Sequence, residues 1–132
     1  MLTPDRRRLL AWLILGALST LLIAIPHTGL IPGTGRDLFI DEALFTDSAV
    51  SFFRRGWVTL RGSRIAFDAW ITSGVLGSLV PGAATLGTGS YAWGRFFSAL
   101  QNGVALGGVA WIVSRWTSVG MGLFFLVVAL LV

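Results

Sequence analysis

Residues 9–25 read LLAWLILGALSTLLIAI, an uncharged run of 17 positions preceded by Asp5-Arg6-Arg7-Arg8 and followed by Pro26. At 1.5 Å of rise per residue such a run is about 26 Å long as a helix. A bilayer's hydrocarbon core is about 30 Å thick, so the run falls slightly short. The flanking arginines can snorkel and make up the difference. A basic segment ahead of an apolar one also describes a signal peptide, but that reading needs a small-x-small cleavage pattern. The residues after Ile25 are Pro26, His27, Thr28 and Gly29, which do not supply one, so an uncleaved membrane span is expected here.

The rest of the chain agrees with a membrane environment. Of its 132 residues 55% are hydrophobic and 12% charged, and mean hydropathy is +0.80. Soluble domains carry about 25% charged residues, so this chain has half the charge needed to wet the surface of a globule. Three further apolar stretches follow the first. One covers about 65–80 and ends at Pro81-Gly82, one covers about 90–113, and one covers about 116–132 and carries no charge. The third span presents Ala99, Gly103 and Gly107 at four-residue spacing, and the second carries Gly74 and Gly77. Small residues at this spacing let helix backbones approach closely inside a membrane.

Between the first two spans the character of the sequence reverses. Residues 26–40 hold Pro26, Pro32, Gly29, Gly33 and Gly35, the composition of an irregular connector. From Asp41, the apolar residues Leu44, Phe45, Ala49, Phe52 and Phe53 recur at helical spacing among Glu42, Asp47, Ser48, Ser51, Arg54 and Arg55. Asp41 suits an N-cap, and the two arginines fall where a helix C-terminus favours positive charge. The expected element is an amphipathic helix over about 41–55 that lies at the membrane interface. Of the six tryptophans, Trp57 anchors this region and Trp12, Trp70, Trp93, Trp111 and Trp116 fall toward span ends, as an aromatic belt would.

The expectation is therefore an all-α integral membrane protein with about four transmembrane helices and one amphipathic interfacial helix, built as a single multi-pass membrane domain. Its topology is in tension with itself. Arg6, Arg7 and Arg8 favour a cytoplasmic N-terminus, and Arg54, Arg55, Arg61 and Arg64 favour the same side. Both hold only if the chain returns across the membrane between residues 26 and 55, a segment too polar to cross in contact with lipid. Either positive-inside is violated or a polar helix is buried in an assembly. Four successive spans with both termini cytoplasmic is the expected arrangement.

Few residues could carry chemistry at depth. Asp68 and Arg95 are the charged groups inside expected spans, and nine of the other fourteen charged side chains crowd between Arg36 and Arg64. An intramembrane carboxylate is expensive and so suggests a proton or cation relay, here with Arg95 as partner. The competing reading pairs Asp68 with Arg64 one helical turn away. Gln101 and Asn102 lie near the middle of the third span, where paired amides usually bond one helix to another. His27 is the only histidine and there is no cysteine, so no metal or cofactor site is expected from this chain alone. Gly87-x-Gly89-x-x-Ala92 nominally resembles a dinucleotide fingerprint, but no strand precedes it and no acidic residue follows about twenty positions on.

The function classes narrow accordingly. The chain is too short for a catalytic domain beside its spans, so no enzymatic activity is expected, and its residues identify no small-molecule substrate. All ten basic residues are arginine, and Arg54, Arg55, Arg61 and Arg64 form a surface suited to anionic lipid headgroups. A nucleic acid backbone is a less favoured partner. The leading expectation is a non-catalytic, structural or accessory subunit of a larger membrane assembly, in contact with other membrane subunits or with copies of itself, in a prokaryotic or viral membrane. The alternatives are a small homo-oligomeric ion or proton channel or transporter using Asp68, Arg95 and Asn102, and a viral envelope membrane protein.

Overall fold

The computed structural model describes residues 3–32, 53–54 and 69–131, with side-chain surroundings described from residue 79 onward in the last stretch. Within these residues the chain is all-helical, without strands. Four helices follow in order: α1 (Pro4–Thr28), α2 (Ala69–Thr88), α3 (Tyr91–Trp116) and α4 (Val119–Leu131). Helices α1 and α3 are long and apolar enough to cross a membrane, with windows of mean hydropathy 2.3 and 1.4. The remainder of the expected interfacial helix over 41–55 lies outside the described residues, of which Phe53 and Arg54 are helical.

Each start and stop has a local cause. Thr3 caps α1, its hydroxyl accepting the Arg6 N–H at 3.4 Å, with Pro4 at the first helical position and Asp5 in the first turn. That order satisfies donors the helix cannot use itself and complements its dipole. Ser90 caps α3 by accepting the Ala92 N–H at 3.3 Å, and Ser118 caps α4 by accepting the Met121 N–H at 3.3 Å. At their other ends α1 and α2 share one device. Thr28 donates its hydroxyl to the Ile25 carbonyl at 2.8 Å and accepts the Leu30 N–H at 3.2 Å, while Thr88 donates to the Ala84 carbonyl at 2.7 Å and accepts the Ser90 N–H at 3.3 Å. Each threonine is followed by a glycine in the left-handed region, Gly29 at φ 82° and Gly89 at φ 68°. A side chain there would be strained, and glycine lets the helix end where it does.

The boundaries differ from the sequence expectation in an instructive way. Pro26 and Pro81 were expected to close the first two spans, yet both lie inside their helices, which continue to Thr28 and Thr88. A helical proline removes one backbone bond and crowds the preceding turn, at about 3 kcal/mol in water. Such prolines are nonetheless common in membrane helices, and here the threonine-glycine caps set the ends. The expected fourth span begins too early: Trp116 closes α3, Thr117 and Ser118 make the turn, and α4 has 13 residues. That is about 20 Å of helix, less than a hydrocarbon core.

The chain divides into two compact units, one of residues 1–24 with 99–132 and one of residues 25–98. In the first, α1, α3 and α4 pack through small residues. An added Cβ on Gly16 would meet the Gly103 carbonyl and, at 2.8 Å, the Gly107 Cα. One on Gly103 would lie 2.8 Å from Ala17 Cα and 2.9 Å from Thr20 Cβ, and one on Gly107 would meet the Trp12 carbonyl and, at 3.0 Å, Leu13 Cα. Moving up α1 from Trp12 to Thr20 thus moves down α3 from Gly107 to Gly103, so the two helices are antiparallel. Backbones this close gain dispersion and Cα–H···O contacts that larger residues would forbid. Helix α4 folds back on α3, where a Cβ on Gly122 would lie 2.8 Å from the Ala110 carbonyl and 3.0 Å from the Trp12 ring. Ala17, Ala110 and Leu126 are the buried apolar residues of this unit.

This antiparallel pairing bears on the expected topology. Four successive crossings would run the first and third spans in the same direction, whereas the glycine contacts of α1 and α3 run them in opposite directions. Trp12 lies half-buried in the seam beside Gly107 and Gly122.

In the second unit, α2 and α3 meet at Gly94. A Cβ there would collide with the Thr85 hydroxyl and lie 3.2 Å from the Pro81 carbonyl. Trp93, Phe96 and Phe97 form an aromatic cluster on α3, with ring centroids 5.5–6.4 Å apart.

Candidate functional site: the outward faces of the three-helix unit

The seam holds the small residues, so the large apolar ones face out. On α1, Leu10, Ile14, Leu18 and Leu22 form one ridge at four-residue spacing, with Leu22 76% exposed. On α4, Met121, Leu123, Phe124, Val127, Val128 and Leu131 are all exposed. Only 17% of the apolar window of α1 is buried. Water would oppose leaving each such side chain uncovered by about 1.5–3 kcal/mol, and soluble monomers rarely carry contiguous patches of this kind. Lipid or a protein neighbour removes that cost.

One end of this unit is polar. Asp5 of α1 and Arg115 of α3 face each other at 3.7 Å between Oδ2 and Nη1, both more than half exposed. The Arg115 guanidinium also lies 5.4 Å from the centre of the Trp111 ring. Arg6, Arg7 and Arg8 lie exposed on the first turns of α1 at the same end. A cluster of arginines with tryptophan beside them fits the headgroup level of a bilayer, where guanidinium groups meet phosphates and indoles sit between apolar and wet surroundings.

Halfway along α3 the outward surface changes again. Gln101 and Asn102 are exposed, and among the described residues neither has a hydrogen-bond partner. The helix runs from 91 to 116, so both lie within about 4 Å of its midpoint. An amide taken from water into an apolar medium without a partner costs roughly 2–7 kcal/mol. In a bilayer these two side chains require partners from beyond the described residues, whether of this chain, of another molecule or of trapped water.

The remaining candidates are dispersed. Ala99 is half-buried, and Gly103 and Gly107 are buried in the seam with α1. Gly74 and Gly77 lie in the part of α2 whose side-chain surroundings are outside the described residues. Arg95 is half-buried on the first turns of α3 and is engaged with a partner. Arg54 is exposed in its helical pair, and Asp68, Arg55, Arg61 and Arg64 lie outside the described residues. His27 is exposed near the end of α1, and among the described residues no group of three potential metal ligands comes together. Sequence reasoning overlooked Gly16, Gly122 and the capping role of Ser118. Gly16-x-x-x-Thr20 was visible as a small-residue pair, and Ser118 was visible as a capping residue ahead of an apolar run. No family model, curated protein or solved structure matches the chain.

Proposed function

We propose that this protein is a non-catalytic, structural or accessory membrane subunit that works inside a larger assembly. The observation that carries this reading is the pair of exposed amides at the middle of α3, without partners among the described residues, on an apolar helix whose other polar groups lie toward its ends. The described residues of one chain leave Gln101 and Asn102 unsatisfied in hydrocarbon, and an assembly can satisfy them. The exposed apolar ridges of α1 and α4 fit contact with lipid tails or with apolar neighbours, and the arginines near Asp5 fit anionic headgroups. In this reading α2 and α4 also lie in the membrane, α4 entering it without crossing.

The test is the mass of the protein extracted from its native membrane in mild detergent. Native gels and native mass spectrometry are expected to show a species heavier than the 14.1 kDa chain, made of further copies or other membrane subunits. A monomer that carries only lipid and detergent would refute the proposal.

A further inference from the structure

We infer that the arginine end of the three-helix unit is a binding site for anionic phospholipid, with Arg6 and Arg7 taking the phosphate and the apolar ridge below them taking an acyl chain. This rests on the membrane placement proposed above and names the lipid class that the surface selects.

The charge of the chain is unevenly placed. Residues 33–68 carry five arginines and five carboxylates, so that stretch is neutral as a whole and has no surplus carboxylate to offer elsewhere. Of the net charge of +4, three units therefore belong to Arg6, Arg7, Arg8 and Arg115 around Asp5, and Arg95 supplies the fourth. Among the described residues the side chains of Arg6, Arg7 and Arg8 have no acceptor. Arg115 meets Asp5 at 3.7 Å, beyond hydrogen-bond length, so its guanidinium is placed by Asp5 and Trp111 yet keeps its donors.

Helix periodicity joins this charge to the apolar surface. Arg6 and Arg7 precede Leu10 by four and three residues, which at 3.6 residues per turn stands them directly above it on the outward face of α1. Below them the exposed ridge runs from Leu10 through Ile14 and Leu18 to Leu22. Twelve residues of helix cover about 18 Å, a little more than one leaflet of a hydrocarbon core about 30 Å thick. A free phosphate or a nucleic acid backbone would use the guanidinium groups and leave the ridge bare, whereas a phospholipid uses both. Arginine forks match phosphate oxygens. A headgroup of net negative charge is favoured over a zwitterionic one, because four guanidinium groups around a single carboxylate repel the ammonium that a zwitterion carries beside its phosphate.

Native mass spectrometry of the intact chain reads the selection directly, from detergent micelles holding equal amounts of phosphatidylglycerol and phosphatidylcholine with the same acyl chains. The wild-type chain is expected to retain phosphatidylglycerol over phosphatidylcholine. An arginine near anionic lipid is worth about five-fold in affinity, so Arg7→Gln is expected to lower the preference by about that factor, and Arg6→Gln with Arg7→Gln by about twenty-five-fold. Arg36→Gln removes the same charge from the balanced stretch and is expected to leave the preference unchanged. Equal retention of the two lipids overturns the inference. So does an equal loss with Arg36→Gln, which would mean general attraction to the net charge. Release of bound phosphatidylglycerol by an equal concentration of glycerophosphoglycerol, or of a short oligonucleotide, would assign the arginines to a soluble phosphate and overturn it as well. Lipid selection by a chain found only as a monomer keeps the site and refutes the assembly, and a heavier native species without selection does the reverse.

Discussion

Adding one methyl group at Gly107 should open the seam between α1 and α3, whereas adding it at the next residue should not. At Gly107 the new Cβ would meet the Trp12 carbonyl oxygen and lie 2.9 Å from the Trp12 carbonyl carbon and 3.0 Å from Leu13 Cα. All three are backbone atoms, which cannot swing aside. Restoring ordinary contact requires the helices to part by up to about 1 Å, and the same motion loosens the contacts of Gly16 and Gly103 above. Overpacking of this kind costs about 1–3 kcal/mol, against which alanine recovers at most about 1 kcal/mol of helix propensity. Gly107→Ala should therefore destabilise the protein by about 1–2 kcal/mol. At Gly108 the new Cβ meets only Leu13 Cδ2 at 3.7 Å, an ordinary contact, so Gly108→Ala should be neutral or stabilising by up to about 1 kcal/mol. Reversible unfolding in mixed micelles measures both, and Trp12 in the seam supplies a fluorescence signal. A Gly107→Ala protein as stable as Gly108→Ala would refute the close antiparallel packing itself.

Two further outcomes follow from the ends of the helices. Arg115→Ala should cost less than about 1 kcal/mol, because the ion pair with Asp5 is largely exposed and screened, and the loss should vanish in high salt; a larger, salt-independent loss in the same micelle titration would mean Arg115 holds the unit together in another way. Ser118→Ala removes the hydroxyl that accepts the Met121 N–H and should cost about 0.5–2 kcal/mol. Hydrogen exchange should then quicken at Val119–Met121 and stay unchanged at Gly103 and Gly107, and uniform quickening would count against a local cap.

The sequence revealed the helical, apolar nature of the chain because those properties are written residue by residue. Leu9 to Ile25 needs no partner to be read as a helix suited to lipid. Helix ends were harder. Pro26 and Pro81 are strong breakers in water, and the local bonds of Thr28 and Thr88 that carry the helices past them involve residues with no apolar signature. The seam was half legible: the spacing of Gly103 and Gly107 announces a close neighbour but does not say which helix supplies it or in which direction it runs. That depends on Gly16 and Thr20, more than eighty positions away in the chain. Gln101 and Asn102 stood out as polar groups at depth, but which way they face follows only once Gly107 and Ala110 are known to be covered. Asp68, the most conspicuous charge in the sequence, lies outside the described residues.

The antiparallel register also bears on the conflict among the arginines. It sets Asp5 beside Arg115, so Arg6, Arg7, Arg8 and Arg115 share one end, and positive-inside assigns that end to the cytoplasm. If α1 and α3 both cross, the end of α1 and the start of α3 lie together on the far side, and the chain between them crosses an even number of times. Helix α2 has 20 residues, about 30 Å, enough for a single crossing. If it crosses, the even count requires one further crossing between Leu30 and Ala69, which puts Arg54 on the cytoplasmic side, as positive-inside does, where that crossing precedes it inside an assembly; with no crossing between Leu30 and Gly87, Arg54 belongs on the far side. Labelling single cysteines with an impermeant maleimide in vesicles of known orientation separates these cases. Thr3→Cys and Thr117→Cys should react from the cytoplasmic side, Leu30→Cys and Gly87→Cys from the other. With α2 crossing and the other crossing before Arg54, Arg54→Cys reacts with the first pair, and every arginine cluster then obeys the rule that four successive spans would break. Leu30→Cys and Gly87→Cys reacting from opposite sides would refute the even count, and with it the placement of α1 and α3 as antiparallel spans.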